Sequence, residues 1–180
     1  MHTPEIQTLS SSVVYQNRWM TVREDKIIRA DGSSGIYGVV EKQDFAVIAA
    51  VQDGKIYLVE QYRYPVQGRH LELPQGAWES TSTDPLTLAR AELREETGIT
   101  ARSMVHVARM HEAYGYSTQA FDLFFATDLV HGPAQLEPEE QGLVCKAFDV
   151  QQVRAMVCDG HITDAVTVAS FGLLHMKCML

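Results

Sequence analysis

Glu92, Glu95 and Glu96 stand at i, i+3 and i+4 within Ala91-Glu92-Leu93-Arg94-Glu95-Glu96-Thr97-Gly98-Ile99. On a helix that spacing stacks three carboxylates along one face. Like charges so placed repel, so a helix gains no stability from them. The pattern is either a solvated acidic face or a place for a divalent cation, which reverses the sign of the interaction. Hard cations such as Mg²⁺ take oxygen ligands and keep water and substrate phosphate in their shell. The helix has readable ends. Asp84 followed by Pro85 reads as an N-cap with proline at the first helical position, and Gly98 as the residue just past the end. Leu86, Leu88, Ala89 and Leu93 supply apolar positions between them. A helix over Pro85–Thr97 follows. Ahead of it, Glu72-Leu73-Pro74-Gln75-Gly76-Ala77-Trp78-Glu79 reads as a short strand, a Pro/Gly turn and a polar loop. A Gly turn set against an acidic helix can offer backbone carbonyls to the same metal.

Gly76 through Ile99 resembles the Nudix box, G-x5-E-x7-R-E-U-x-E-E-x-G-U with U aliphatic. The match is good from Glu92 to Ile99. The first half departs from it. Gly76 is one residue too far from Glu92, the loop Glu is replaced by Ser82 or Thr83, and the box Arg by Ala91. Arg90 is adjacent but lies about 100° away on a helix. Joint loss of the Glu and the Arg with a changed loop length is coherent, because the two would have formed a loop–helix ion pair. Leu58-Val59-Glu60-Gln61-Tyr62-Arg63-Tyr64-Pro65, Leu71-Glu72-Leu73-Pro74-Gln75-Gly76 and Asp159-Gly160-His161-Ile162-Thr163-Asp164-Ala165 resemble the ADP-ribose pyrophosphatase branch of Nudix hydrolases. The similarity runs from roughly Tyr15 to Leu174.

Composition is compatible with one enzyme domain. The chain has 180 residues, 46% hydrophobic and 21% charged, enough for one well-buried core. A net charge of −8 argues against nucleic acid or an anionic membrane as partner. No basic-then-apolar leader and no run of roughly 20 apolar residues are evident. Cys145, Cys158 and Cys178 are odd in number and form no C-x-x-C, which points to a reduced, cytoplasmic chain.

Strands are expected at Met20–Ile28, Ile36–Glu41, Phe45–Val51, Ile56–Gln61, Ser103–Met110, Phe121–Asp128 and Leu143–Phe148, with further helices at Val150–Cys158 and Thr163–Met176. Asp53-Gly54 is a hairpin turn signal. The fold class is α+β, and the resemblance implies the Nudix α/β/α sandwich around a mixed sheet. Residues 1–43 read as a separate meander of two or three strands, turning at Asn17 and Asp31-Gly32, and 44–180 as the hydrolase domain. A sheet that small is marginal alone. The resemblance implies that it exchanges with a second subunit in a homodimer.

Outside the box, Arg63 can grip a phosphate or pair with a nearby acid. Arg18 and Arg23 can reach a nucleotide across a dimer, and Trp19 can stack on its base or simply pack. Glu72 joins this substrate-binding set. Trp78 reads as packing, and Glu112 as a further acid. Glu137-Pro138-Glu139-Glu140-Gln141-Gly142 is a second acidic cluster in a loop. The resemblance implies a catalytic Glu there, Glu140 first and Glu139 second. It further implies that Glu92, Glu95 and Glu96, with the carbonyl of Gln75, hold Mg²⁺ or in its place Mn²⁺, Glu95 also counting among the catalytic groups. The expected activity is hydrolysis of the pyrophosphate in a nucleoside diphosphate derivative such as ADP-ribose or a nucleotide sugar. The alternatives are a Nudix-fold ligand-binding module without turnover and a nucleoside triphosphate pyrophosphohydrolase. Tyr114-Gly115 and Gln119 stand where many ADP-ribose pyrophosphatases carry P-G and then Glu.

Overall fold

The computed structural model describes residues 4–77, 84–136 and 140–180. These fall into two compact units, 1–44 with 111–120, and 45–110 with 121–180.

The first unit is a three-stranded antiparallel sheet of β1 (Ile6–Gln16), β2 (Thr21–Arg29) and β3 (Ser34–Glu41), in that order. Asn17 makes the first turn by accepting the Trp19 and Met20 N–H groups on its side-chain oxygen. Gly32, at φ +84°, makes the second. Every residue of β1 is exposed. The segment after His111 joins this unit: the Val40 N–H donates to the Tyr116 carbonyl, and the Thr118 N–H to the Val40 carbonyl. The two or three strands expected from sequence are thus three, with an eleven-residue first strand.

The second unit is a mixed sheet ordered β10-β5-β4-β9-β8, from β4 (Phe45–Gln52), β5 (Lys55–Arg63), β8 (Ile99–His111), β9 (Ala120–His131) and β10 (Val144–Asp149). β4 and β9 are parallel, while β5 runs antiparallel to both β4 and β10. Two short strands complete it, the first ending at Glu72, in the segment that reads as a short strand, and the second not expected from sequence. β6 (Gly68–Glu72) pairs with β5, and β7 (Gln75–Gly76) with β4. Asp53-Gly54 forms the β4–β5 hairpin with both residues at positive φ.

Alternation along β4 divides the core. Ala46, Ile48 and Ala50 pack with Leu88, Ala89 and Leu93 of helix α1 (Pro85–Thr97). Val47 and Ala49 pack with Val150 and Val153 of α2 (Val150–Cys158), and with Val166, Phe171 and Leu174 of α3 (Ala165–Met176). Because successive strand side chains point to opposite faces, a strand apolar at every position is buried on both. The result is an α/β/α sandwich. Among the described residues no helix is long and apolar enough to cross a membrane.

Local chemistry sets the position of α1. The Asp84 carboxylate accepts the Thr87 N–H at 3.0 Å, with Pro85 behind it. Gly98 ends the helix at φ +71° and its N–H returns to the Arg94 carbonyl. No side chain fits at Gly98, because a Cβ would press on the Gly132 carbonyl oxygen. Arg90 reaches from α1 to the Ala101 carbonyl at 2.7 Å.

Candidate active site

The face that α1 turns to the sheet carries Leu88, Ala89, Glu92, Leu93 and Glu96. Two acids therefore lie in the apolar stripe. Glu92 is 6% exposed and Glu96 2%. A solvated acidic face is excluded for this pair. Glu140, in the turn before β10, brings a third carboxylate, and one oxygen from each of the three lies within 4.8 Å of the others.

Glu95 is not in this group. It projects about 100° around the helix from Glu96 and lies 3.6 Å from the Arg94 guanidinium. Glu139, Glu137, Trp78, Ser82 and Thr83 lie outside the described residues.

The turn between β6 and β7 is clamped from three sides. The Leu73 N–H donates to the Thr167 hydroxyl of α3 at 2.9 Å. The Ile48 N–H of β4 donates to the Pro74 carbonyl. The Gln75 N–H donates to Glu96 Oε2 at 3.0 Å. The next residue, Gly76, is ladder-paired to Ala46, and a Cβ there would lie 2.5 Å from Cδ of Glu92. Glycine is thus required for the carboxylate to sit against the strand.

Arg63 of β5, whose ladder partner is Gly68, reaches along the β5–β6 pair to Glu72, whose ladder partner is Val59. Arg63 Nε donates to Glu72 Oε1 at 3.0 Å and Nη2 to Oε2 at 2.6 Å. Gln75 Nε2 also donates to Oε2, which leaves the buried Gln75 Oε1 without a hydrogen-bond partner among the described residues. The Arg63 side chain remains 41% exposed. Of the two uses open to Arg63 on sequence, the structure displays the acid pairing. Burial opposes its charge, and Glu72 together with the Glu96 and Asp164 charges outweighs that, so the guanidinium is held more firmly protonated than usual.

Burial, and then the Glu92 and Glu140 charges, push the Glu96 carboxyl well above the usual carboxylate range; the Gln75 N–H opposes them without prevailing. Adjacent acids cannot all ionise cheaply in a poorly solvated place. Protons or a cation must neutralise the cluster, and its all-oxygen donors fit a hard divalent ion. Burial and the Glu96 charge push the neighbouring Cys145 thiol up to about 11.

Arg18, Trp19 and Arg23 belong to the first unit. Trp19 is 62% exposed, with the Arg18 guanidinium carbon 5.6 Å from its ring centroid. Arg23 is engaged by Asp25 and by Glu41 at 2.8 Å. Glu112 is exposed. Two features escaped the sequence. One is a triad in which buried Asp122 accepts from Arg109 at 2.7 Å and lies 2.8 Å from His106 Nε2. The other is Arg69, which bonds Gly142. Neither is local in sequence, and no motif marks them.

Comparison with known proteins adds the following. The NUDIX domain model matches residues 42–166, and that of the nucleoside diphosphate sugar hydrolase N-terminal domain matches residues 6–40. The chain is 27% identical to an ADP-ribose pyrophosphatase of Mycobacterium tuberculosis over 173 residues, 95% of this chain and 84% of that protein. It is 24% identical to an ADP-ribose pyrophosphatase of Bacillus subtilis over 179 residues, 98% of this chain and 96% of that one. A crystal structure described as an ADP compounds hydrolase shares the fold with a TM-score of 0.86, at 19% identity over 99% of this chain and 97% of its own.

Proposed function

This chain belongs to the NUDIX family and is a hydrolase of phosphoric anhydrides, and from that premise we propose that it is a Mg²⁺-dependent pyrophosphatase of nucleoside diphosphate-linked compounds, ADP-ribose or a nucleotide sugar. The observation that carries the reading is the convergence of Glu92, Glu96 and Glu140. The two relatives named for ADP-ribose hydrolysis, and the sugar hydrolase match of residues 6–40, support the substrate class.

Glu92 and Glu96 would hold the ion, with the Gln75 carbonyl beside them and Glu95 adding negative charge on the same helix. When bound, Mg²⁺ neutralises phosphate charge and makes water more acidic, and Mn²⁺ can substitute. Glu140, whose carboxylate lies within 4.8 Å of the other two and would add its charge to the ion's site, takes the proton from the attacking water. Arg63, oriented by Glu72, presents positive charge to the substrate phosphates. Water adds to one phosphorus, the bridging oxygen leaves with the other, and ADP-ribose would give AMP and ribose 5-phosphate. The three cysteines are free, in keeping with a reducing cytoplasm.

The test is product identification over ADP-ribose, nucleotide sugars and nucleoside triphosphates with Mg²⁺, Mn²⁺, Ca²⁺ or chelator. Cleavage of a diphosphate-linked substrate with Mg²⁺ or Mn²⁺ is expected. Calcium, with looser geometry, should not replace them. Absence of turnover on the whole panel would favour a ligand-binding module, and preference for triphosphates would favour the other hydrolase.

The same reading includes a homodimer in which the first unit of one copy completes the site of the other through Trp19, Arg18 and Arg23. Its support is the all-exposed β1, with Leu9, Val13 and Val14 each 58–60% exposed and Ile36 at 64%. Light scattering at micromolar concentration should give twice the chain mass of 20.1 kDa. A monomer that still hydrolyses ADP-ribose would refute the exchanged arrangement and leave the carboxylate chemistry standing.

A further inference from the structure

We propose that Arg69 is the positioning residue for Glu140, acting through the Gly142–Leu143 peptide; the proposal rests on the reading of Glu140 as a working carboxylate of the site. Arg69 lies on β6, and its Nη2 donates to the Gly142 carbonyl at 2.7 Å and to the Glu60 carbonyl at 2.8 Å. Its Nε donates to Glu60 Oε1 at 3.3 Å, and Glu60 is in turn paired with Lys146 of β10. One guanidinium therefore ties β6 and β5 to the residues entering β10.

The peptide it holds is the informative one. The Gly142 carbonyl and the Leu143 N–H belong to a single planar unit. The Leu143 N–H donates to the Glu140 carbonyl at 3.0 Å, closing a turn in which Gly142 takes φ +84°. Fixing the carbonyl end of that plane aims its N–H end at Glu140. Leu143 is buried and Val144 pairs with Glu60, so the turn is pinned on its far side as well. An exposed ion pair at this place would add little to stability. A planar guanidinium that donates from Nη2 to two backbone carbonyls and from Nε to the Glu60 carboxylate instead sets geometry, and a lysine, with one nitrogen, cannot reproduce it.

The experiment uses the full chain with Arg69→Met, which keeps the stem and removes the donors, and Arg69→Lys, which keeps the charge without the fork. Each is made alone and with Glu140→Gln. Calorimetric titration of Mn²⁺ into metal-free protein is paired with steady-state hydrolysis of ADP-ribose. Both single variants should lose about tenfold in Mn²⁺ affinity and in kcat, as groups that orient metal ligands typically do. KM and the thermal midpoint should stay close to wild type. In the Glu140→Gln background neither substitution should change Mn²⁺ affinity or kcat further. Equal losses in both backgrounds would overturn the proposal, as would full retention of affinity and rate by Arg69→Lys. If the coupling appears in Mn²⁺ binding while no substrate is turned over, the positioning role stands and the hydrolase reading falls. If hydrolysis is normal and the coupling is absent, the reverse holds.

Discussion

Replacing Glu96 by Gln is expected to lower hydrolysis at saturating Mg²⁺ by at least about a hundredfold while leaving the fold intact, as loss of a buried electrostatic group at a reacting centre does. The substitution keeps volume and removes one charge from a cluster that is 2–6% exposed on α1. It carries a second, activity-independent signature. Burial and the Glu92 and Glu140 charges raise the Glu96 pKa in the folded, metal-free protein. A raised folded pKa means a contribution to stability fully present below the unfolded value of about 4.3 and lost as pH rises through the folded value. The metal-free wild type should therefore lose thermal stability relative to Glu96→Gln as pH rises above the ordinary carboxylate range. Mg²⁺ should restore the wild type at high pH and do little for the variant, because binding to the folded state adds stability. Melting curves in chelator and in Mg²⁺ across pH decide this. Activity within about threefold of wild type, or parallel melting–pH curves, would remove Glu96 from the metal site.

Gly76→Ala should be nearly as damaging by a different route. Gly76 does not occupy the positive-φ region, so an alanine brings no backbone strain. Its Cβ, however, would stand 2.5 Å from Cδ and 2.8 Å from Oε1 of Glu92. The strand cannot retreat, because Gly76 is paired to Ala46 in the centre of the sheet. The carboxylate must leave instead, taking one of the three charges from the cluster. Mn²⁺ affinity should fall more than about tenfold, and kcat/KM by about a hundredfold, comparable to displacing a group that orients a reacting centre by an ångström. The thermal midpoint in chelator should move much less, since relief of carboxylate repulsion offsets the steric cost. Wild-type Mn²⁺ affinity in Gly76→Ala would show that Glu92 contributes nothing to metal binding.

The two substitutions probe what was most and least legible in the sequence. Helix α1 was readable to the residue, because Asp84-Pro85 and Gly98 are end signals that work locally. Glu92 and Glu96 share a face by helical period alone. Glu95, about 60° from Glu92 by the same period, is expected on that face too, and the group that forms holds Glu140 in its place. That the face is buried rather than solvated depends on β4 and β7, which one helix cannot announce. Glu140 joins a residue 44 positions earlier (140 − 96), a distance that sequence spacing does not encode. For Arg63 the sequence left phosphate or acid open, and the β5–β6 ladder, in which Arg63 pairs with Gly68 and Glu72 with Val59, was hidden. β6 and β7, of five and two residues, are too short to show a period.

The parallel pairing of β4 with β9 has a consequence for how the chain comes to be folded. Phe45 lies opposite Phe121, so a stretch spanning 76 positions (121 − 45) must be closed before that ladder can form. Loop closure grows only slowly costly with length, which makes this a burden on rate more than on final stability. Until β9 exists, β4 is paired along one side alone, with β5 through Val51–Ile56 and Gln52–Lys55 and with β7 through Ala46–Gly76 and Val47–Gln75. A nascent chain that ends before Phe121 thus carries Ala46–Ala50, wholly enclosed in the finished protein, as an open apolar edge. Such an edge invites pairing with other chains. The interval between synthesis of residue 52 and residue 121 is when this protein is most exposed to misassembly, and the carboxylate site between its layers cannot exist before that interval closes.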